Sequence, residues 1–291
     1  VQIAYQGEPG AYSEAAAAKY DAAATLVACP AFEDVFKAVE DGRVALGVLP
    51  VENSIGGTIH RNYDLLVQHD LTIVGEVELP VHHSLLALPG TTIDQVRQIY
   101  SHPQALAQCD RFLRSLAGVE VVATYDTAGS AKLIRERNLT NGAAIASERA
   151  AAVFGLIALR VGIQDHADNI TRFVVVAPAR GEAARPDARE ADKTTVVFTL
   201  PNTPGALFRA LSVFALRDID VTKIESRPIP GRPWEYMFYL DIGVGRQEPR
   251  CSRALTHLAE FAPSVKLLGS YPSATARAAA LAGRAATGGA A

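Results

Sequence analysis

The stretch Ala45-Leu46-Gly47-Val48-Leu49-Pro50-Val51-Glu52-Asn53-Ser54-Ile55-Gly56-Gly57-Thr58 decides how the chain reads. Its first seven residues form an apolar run of strand length without alternation, the pattern of a strand buried on both faces of a parallel sheet. The run stops abruptly at Glu, Asn, Ser and a Gly pair. In open α/β sheets ligands sit beyond the carboxyl ends of strands. Gly56 and Gly57 let the backbone approach a ligand closely, and Asn53 and Ser54 add donors that suit a carboxylate. The same residues also read as a plain polar turn.

Outward from this point the pattern alternates. Residues 1–5, 25–29, 71–79, 84–88, 98–101, 119–124, 143–146 and 171–176 read as further strands. Between them, residues 13–20, 32–40, 62–69, 103–116, 127–135 and 147–154 read as helices, the first with Ser13 as N-cap. Residues 161–162 open a loop that leads into the last strand. Such alternation implies an α/β fold with a mostly parallel, helix-covered sheet, as one large doubly wound domain or two smaller lobes. Residues 179–193 are charged, carry Pro186 and lack large apolar residues, so a linker is expected there, at 180–192. Residues 193–271 then follow the order βαββαβ, the ferredoxin-like arrangement. Residues 272–291, dominated by Ala, Gly and Thr, are expected to be a disordered tail or at most a partial helix.

Composition narrows the function. The 291 residues suit two or three folding units, and 49% hydrophobic against 20% charged residues marks a globular chain. A net charge of −3 supplies no polyanion-binding character, so no nucleic-acid partner is expected. No run of 18 apolar residues exists to span a membrane, and the N-terminus has a strand pattern rather than that of a signal peptide. Cys29, Cys109 and Cys251 are few and widely spaced, which argues against a disulfide framework or a zinc site and for reduced thiols in a cytoplasmic protein. The adjacent His82 and His83 would leave opposite sides of a strand, poor geometry for a metal. No cofactor signature is present.

Four further clusters carry polar groups at element ends. The turn Gly7-Glu8-Pro9-Gly10 before Ser13 reads equally as a structural turn or as backbone N–H groups aimed at an anion. Ser101-His102-Pro103-Gln104 follows a strand, and His102 and Gln104 are candidate donors to a carboxylate or carbonyl. Asp168-Asn169-Ile170-Thr171-Arg172-Phe173 enters the last strand, where Arg172 offers a fork for a carboxylate and Thr171 a hydroxyl. In the C-terminal unit, Thr203-Pro204-Gly205-Ala206-Leu207 opens a helix, with an N-cap and Pro at its first position. There, Glu225-Ser226-Arg227-Pro228 ends a strand, and Glu225 would meet an ammonium. Together the two segments suit a free amino acid.

Taken together these segments resemble the prephenate dehydratase family with its C-terminal ACT domain, over residues 1 to about 271. The resemblance rests on the Pro50–Gly57, Ser101–Leu106 and Thr171–Phe173 segments, and on Gly205–Leu207 and Glu225–Pro228 for the ACT domain. It implies a catalytic region at 1–179 of two lobes, similar to periplasmic binding proteins, with lobe one at 1–78 and 165–179 and lobe two at 79–164. It implies decarboxylating dehydration of prephenate to phenylpyruvate without a cofactor, or the same chemistry on arogenate. A non-catalytic two-lobed sensor is the rival reading. Thr171 and Arg172 are the implied catalytic residues. Ser13, Asn53, Ser54, Gly56, Gly57, His102, Gln104 and Phe173 are the implied substrate contacts. Gly205, Ala206, Leu207, Glu225, Ser226, Arg227 and Pro228 are the implied phenylalanine site, at an interface of a homo-oligomer, dimer or tetramer.

Overall fold

The structure, a computed structural model, describes residues 1–180, 190–229 and 231–288. The linker expected at 180–192 falls mostly on 181–189, outside the described residues. Contacts divide the chain into two compact units, one of Val1–Asn62 with Val77–Phe173, the other of Tyr63–Glu76 with the chain from Val174 onward.

The chain opens with β1 (Gln2–Gln6), α1 (Tyr12–Tyr20), β2 (Thr25–Cys29), α2 (Phe32–Glu40), β3 (Leu46–Asn53), the short β4 (Gly57–Thr58), α3 (His60–Gln68) and β5 (Leu71–Pro80). β3, β1 and β2 lie side by side and parallel, and β4 folds back antiparallel on the end of β3. The apolar run of β3 is buried as its pattern requires, with Val48, Leu49 and Val51 each at 0% exposure. α2 turns Val35, Phe36, Ala38 and Val39 into the same core. Ser13 is not the cap of α1. The helix starts a residue earlier, Ala11 holds the cap position, and Ser13 is buried inside the first turn.

After β5 come β6 (Ser84–Ala87), β7 (Gln98–Ser101), α4 (Pro103–Ala107), α5 (Asp110–Arg114), β8 (Glu120–Ala123), α6 (Thr127–Glu136), β9 (Gly142–Ala146), α7 (Glu148–Phe154) and β10 (Ile157–Arg160). They build a second sheet in the order β10-β6-β9-β7-β8. Asp126 caps α6 by accepting from the N–H groups of Ala128 and Gly129, and Ser147 caps α7. This sheet is mixed rather than mostly parallel, because β10 and β6, and β6 and β9, run antiparallel. β10 lies in a segment to which the sequence reading assigned no element. Four residues at the sheet margin, three of them exposed, leave too little apolar pattern to signal a strand. The single helix expected at 103–116 is two short ones, broken at Cys109, whose backbone leaves helical geometry. The chain then returns by β11 (Ile170–Pro178), which lies beside β3.

The second unit contains β12 (Lys193–Leu200), α8 (Ala206–Ala215), β13 (Val221–Ile229), β14 (Arg232–Ile242), α9 (Pro249–Ala259), β15 (Ser264–Tyr271) and α10 (Ala274–Gly288). The strand order β13-β14-β12-β15 with two helices is the expected ferredoxin-like arrangement, and α8 and α9 close its core over Phe198, Phe214 and Leu240. The contact division places residues 63–76 here as well. β15 pairs with β5, and Lys266 Nζ donates to the terminal carbonyls of Leu66, Val67 and His69 at the end of α3, where a cation is favoured. α10 replaces the expected disordered tail. Alanine is the strongest helix former, and Ser273 supplies the missing cap by accepting from Ala276 N.

Glu76 is 1% exposed and gathers this unit. Both its oxygens accept from Lys193 Nζ, at 2.9 and 3.0 Å, and one also accepts from Ala274 N at the start of α10. Removing one partner of such a buried pair strands the other charge. Glu76→Ala is expected to cost about 3–5 kcal/mol, read as a lower urea midpoint and melting temperature. A loss below about 0.5 kcal/mol would show that Lys193 finds water instead.

Candidate functional site

Side-chain chemistry concentrates in the first unit where β3 ends beside the start of β11. Asn53 is 6% exposed. Its Oδ1 accepts from the backbone N–H groups of Ile55 at 3.1 Å and Gly56 at 2.7 Å. Backbone N–H groups only donate, so the amide has one orientation. Its Nδ2 therefore donates to Asn169 Oδ1 at 2.7 Å and to Thr171 Oγ1 at 3.0 Å. Thr171 is 8% exposed, and because its oxygen accepts from Asn53 its own proton points away from Asn53.

Arg172 and Glu52 pair at 3.1 Å between Nη2 and Oε2. Each is the strand neighbour of a member of the Asn53–Thr171 contact, and successive strand side chains leave opposite faces. The ion pair thus lies on the face away from the Thr171 hydroxyl. The structure does not bring Arg172 to Thr171, and its place suits holding β3 to β11.

The remaining candidates separate by what already engages them. Ser54 Oγ donates to Asp168 O at 2.7 Å and accepts from Ile170 N at 2.9 Å, while Ser54 N donates to Ile170 O. Its hydroxyl proton is therefore engaged in joining β3 to β11 and not offered to a ligand. Gly56 is a close-approach glycine. A Cβ there would sit 1.9 Å from Gln104 Nε2, so Gln104 lies directly over the loop. Gly57 is a turn glycine with φ +77° and open space where a Cβ would point. His102 caps α4, its Nδ1 accepting from Gln104 N at 3.2 Å. Ser13 is buried in α1, and Phe173, 1% exposed, is a core residue rather than a surface for a ligand.

Three side chains to which the sequence reading gave no role in the site complete the cluster. Asn169 Nδ2 donates to Gln108 Oε1 at 3.0 Å, and Gln108 Nε2 reaches Asn53 Oδ1 at 3.4 Å. His83 Nε2 lies 3.0 Å from the same Gln108 oxygen. His83 sits in the turn after β5 rather than in a strand, and it faces protein amides. Among the described residues no group of three or more His, Cys, Asp or Glu side chains is placed to hold a metal ion. All three cysteines are free and buried, and burial pushes the Cys109 thiol up to about 12.

In the second unit, Gly205 adopts φ +77° and caps α8, so Thr203 and Pro204 lie before the helix rather than as its cap and first residue. Ala206 is buried, and Leu207 lines a cavity of about 120 Å³ with Thr203, Trp234 and Tyr236. Glu225 and Arg227 share one half-buried face of β13, with Ser226 and Pro228 on the exposed one. Arg227 already grips Asp64, at 2.8 Å from Nη2 and 3.4 Å from Nε. β14 and β12 separate β13 from the Gly205 turn, so one chain does not bring the two segments together.

Comparison with known proteins follows this division. Residues 3–180 match the family model for prephenate dehydratase, and residues 194–250 match that for the ACT domain. The chain is 48% identical to an arogenate dehydratase/prephenate dehydratase of Arabidopsis thaliana, over 94% of this chain and 73% of that one. It is 32% identical to a prephenate dehydratase from Arthrobacter aurescens solved in complex with L-Phe, with a TM-score of 0.86 and coverage of 95% and 91% of the two chains. It is also 36% identical to GqqA, a quorum quenching acylase, with a TM-score of 0.85 over 94% and 98% of the two chains.

The double engagement of Ser54 makes a stability prediction. Ser54→Ala is expected to destabilise the folded protein by about 0.5–1.5 kcal/mol, through the lost bonds to the N–H of Ile170 and the carbonyl of Asp168, which turn to water. Chemical denaturation measures it, and unchanged stability with weakened substrate binding would return Ser54 to the role of a ligand contact.

Proposed function

The chain belongs to the prephenate dehydratase family, and from that premise we propose that its substrate is prephenate, converted to phenylpyruvate under control by phenylalanine. It is a prephenate or arogenate dehydratase, a carbon–oxygen lyase, with an ACT domain. Prephenate carries a ring carboxylate, a pyruvyl carboxylate and a hydroxyl at C4. The ring carboxylate leaves as CO2, its electron pair enters the ring, and the C4 hydroxyl takes up a proton and leaves as water. Aromatisation drives the step.

The observation that carries this reading is the directed proton of Thr171. Asn53 donates to the threonine oxygen, so the hydroxyl hydrogen points elsewhere, and a leaving hydroxyl is an acceptor for it. Threonine is too weak an acid to give that proton away outright. It assists departure as a fixed hydrogen-bond donor, within an array held rigid by backbone. Gln104, over Gly56, offers a further donor toward a substrate carboxylate. Arg172 holds the strands through Glu52. Prephenate is favoured over arogenate in this reading because Glu52, the carboxylate of β3 next to Asn53, leaves the opposite face of the strand and is engaged by Arg172, whereas the ammonium of arogenate needs a carboxylate of its own.

For regulation, the L-Phe complex of the Arthrobacter aurescens relative supports phenylalanine as effector. Phe208, Leu216 and Trp234 of the ACT domain are 76%, 81% and 75% exposed, an apolar surface that a second copy of the chain covers in our reading. A homo-oligomer joins the Gly205–Leu207 turn of one chain to Glu225–Pro228 of the next. Three free, buried thiols suit a cytosolic setting.

The test is turnover of prephenate and of arogenate by purified protein, with and without phenylalanine. Prephenate turnover that phenylalanine suppresses is expected. Arogenate turnover alone would change the substrate, and acyl hydrolysis with neither would align the chain with the acylase, since fold does not decide chemistry. Thr171→Ala is expected to lower kcat by about 10²–10⁴, equivalent to about 3–5 kcal/mol of barrier. Near-normal turnover in a folded variant removes Thr171 from the mechanism. Glu225→Ala is expected to raise the phenylalanine concentration for half-inhibition by about tenfold, and unchanged sensitivity removes Glu225 from the effector site.

A further inference from the structure

We propose that His83 is a positioning residue of the dehydration, acting through Gln108 on the Asn53–Thr171 pair, an inference that rests on the dehydratase reading above. His83 is 2% exposed and uses both ring nitrogens. Nε2 meets Gln108 Oε1 at 3.0 Å, and Nδ1 meets the Tyr12 hydroxyl at 3.1 Å. The two rings meet edge to face, with centroids 5.7 Å apart. Tyr12 Oη also lies 2.5 Å from His82 O, which ties the ring to the turn after β5.

The polarity of this chain of groups can be followed from one end. Ile55 and Gly56 N–H set Asn53 Oδ1 as acceptor. Asn53 Nδ2 then sets Asn169 Oδ1 as acceptor, so Asn169 Nδ2 donates to Gln108 Oε1. An oxygen that accepts from Asn169 must also accept from His83, so the proton of the neutral imidazole is on Nε2. Nδ1 then carries the lone pair, while the single Tyr12 proton goes first to His82 O, 2.5 Å from Oη, and Nδ1, 3.1 Å from Oη, is only a shared contact. Burial holds the imidazole below its ordinary pKa, in keeping with a neutral ring. Each group in the sequence His83, Gln108, Asn169, Asn53, Thr171 has its donor and acceptor ends assigned. The backbone fixes one terminus, and His83 fixes the position of Gln108 at the other.

Steady-state kinetics on prephenate tests this role. His83→Leu is expected to lower kcat by about ten- to a hundredfold with KM nearly unchanged, because it loosens the array without touching substrate. His83→Gln places an N–H donor near the former Nε2 and is expected to recover most of kcat. His83→Asn, whose shorter amide stays near the former Nδ1, is expected not to. Wild-type kcat in His83→Leu, or equal losses in the Gln and Asn variants, overturns the proposal. Should His83→Leu not fold, the Gln and Asn comparison stands by itself. ¹⁵N NMR of the wild-type protein reads the tautomer directly. A proton on Nε2 is expected, and one on Nδ1 alone overturns the assignment. If wild type turns over neither prephenate nor arogenate, the dehydratase reading fails, while the NMR result still judges the polarity.

Discussion

Two backbone N–H groups, those of Ile55 and Gly56, converge on the side-chain oxygen of Asn53, and the polarity of the whole site follows from that contact. Side-chain amides ordinarily have two orientations of similar shape. Here one orientation would set two N–H donors against an NH2 group, so the amide is held the other way. Its nitrogen then meets Thr171, and the threonine hydroxyl becomes an acceptor toward Asn53 and a donor on its other side. A weakly acidic hydroxyl gains directional value by this arrangement without any change in its acidity. Electrostatic assistance of this kind is effective when the donor need not reorient as charge develops.

The period of a β-strand distributes the work between two faces. Asn53 and Thr171 meet on one, and Glu52 and Arg172 pair on the other. A motif of adjacent residues therefore divides into a polar contact and an ion pair that braces the same two strands. Ser54 adds three hydrogen bonds between the end of β3 and the start of β11. Much of what a sequence motif displays as polar and available is engaged in keeping these two strand ends together.

This explains which parts were legible beforehand. The apolar run before Glu52 and the alternation around it announced an α/β fold, because burial on both faces leaves an unbroken apolar pattern. Asn53 and Thr171 stood out because they interrupt strand ends. Gln108 and His83 had no such signal, and Asn169, visible within the same polar segment as Thr171, had nothing to mark a role of its own. Gln108 is 55 residues from Asn53, and His83 is 25 from Gln108. A lone polar residue on a short helix or in a turn looks alike whether it faces water or a buried amide. The break between α4 and α5 at Cys109 escaped for a related reason: no Gly or Pro marks it. The tail misled through composition, since alanine and glycine both suggest low complexity while alanine alone promotes helix.

The ACT segments show the opposite situation, residues recognisable in sequence that one chain does not assemble. Glu225 stands opposite Tyr239 on β14, and Tyr239 stands opposite Val197 on β12. Two strand spacings, about 10 Å, separate β13 from β12, whose end leads into the Gly205 turn. Glu225 and Arg227 share a half-buried face, and Arg227 is already bonded to Asp64. The two segments thus lie apart in one chain, which accords with the proposal that a second copy of the chain brings them to one ligand, and the exposed Trp234 and Phe208 are apolar area for such an association. Within the chain the Asn53–Thr171 array is assembled, because backbone groups of the same unit impose its polarity, whereas the proposed effector segments remain apart.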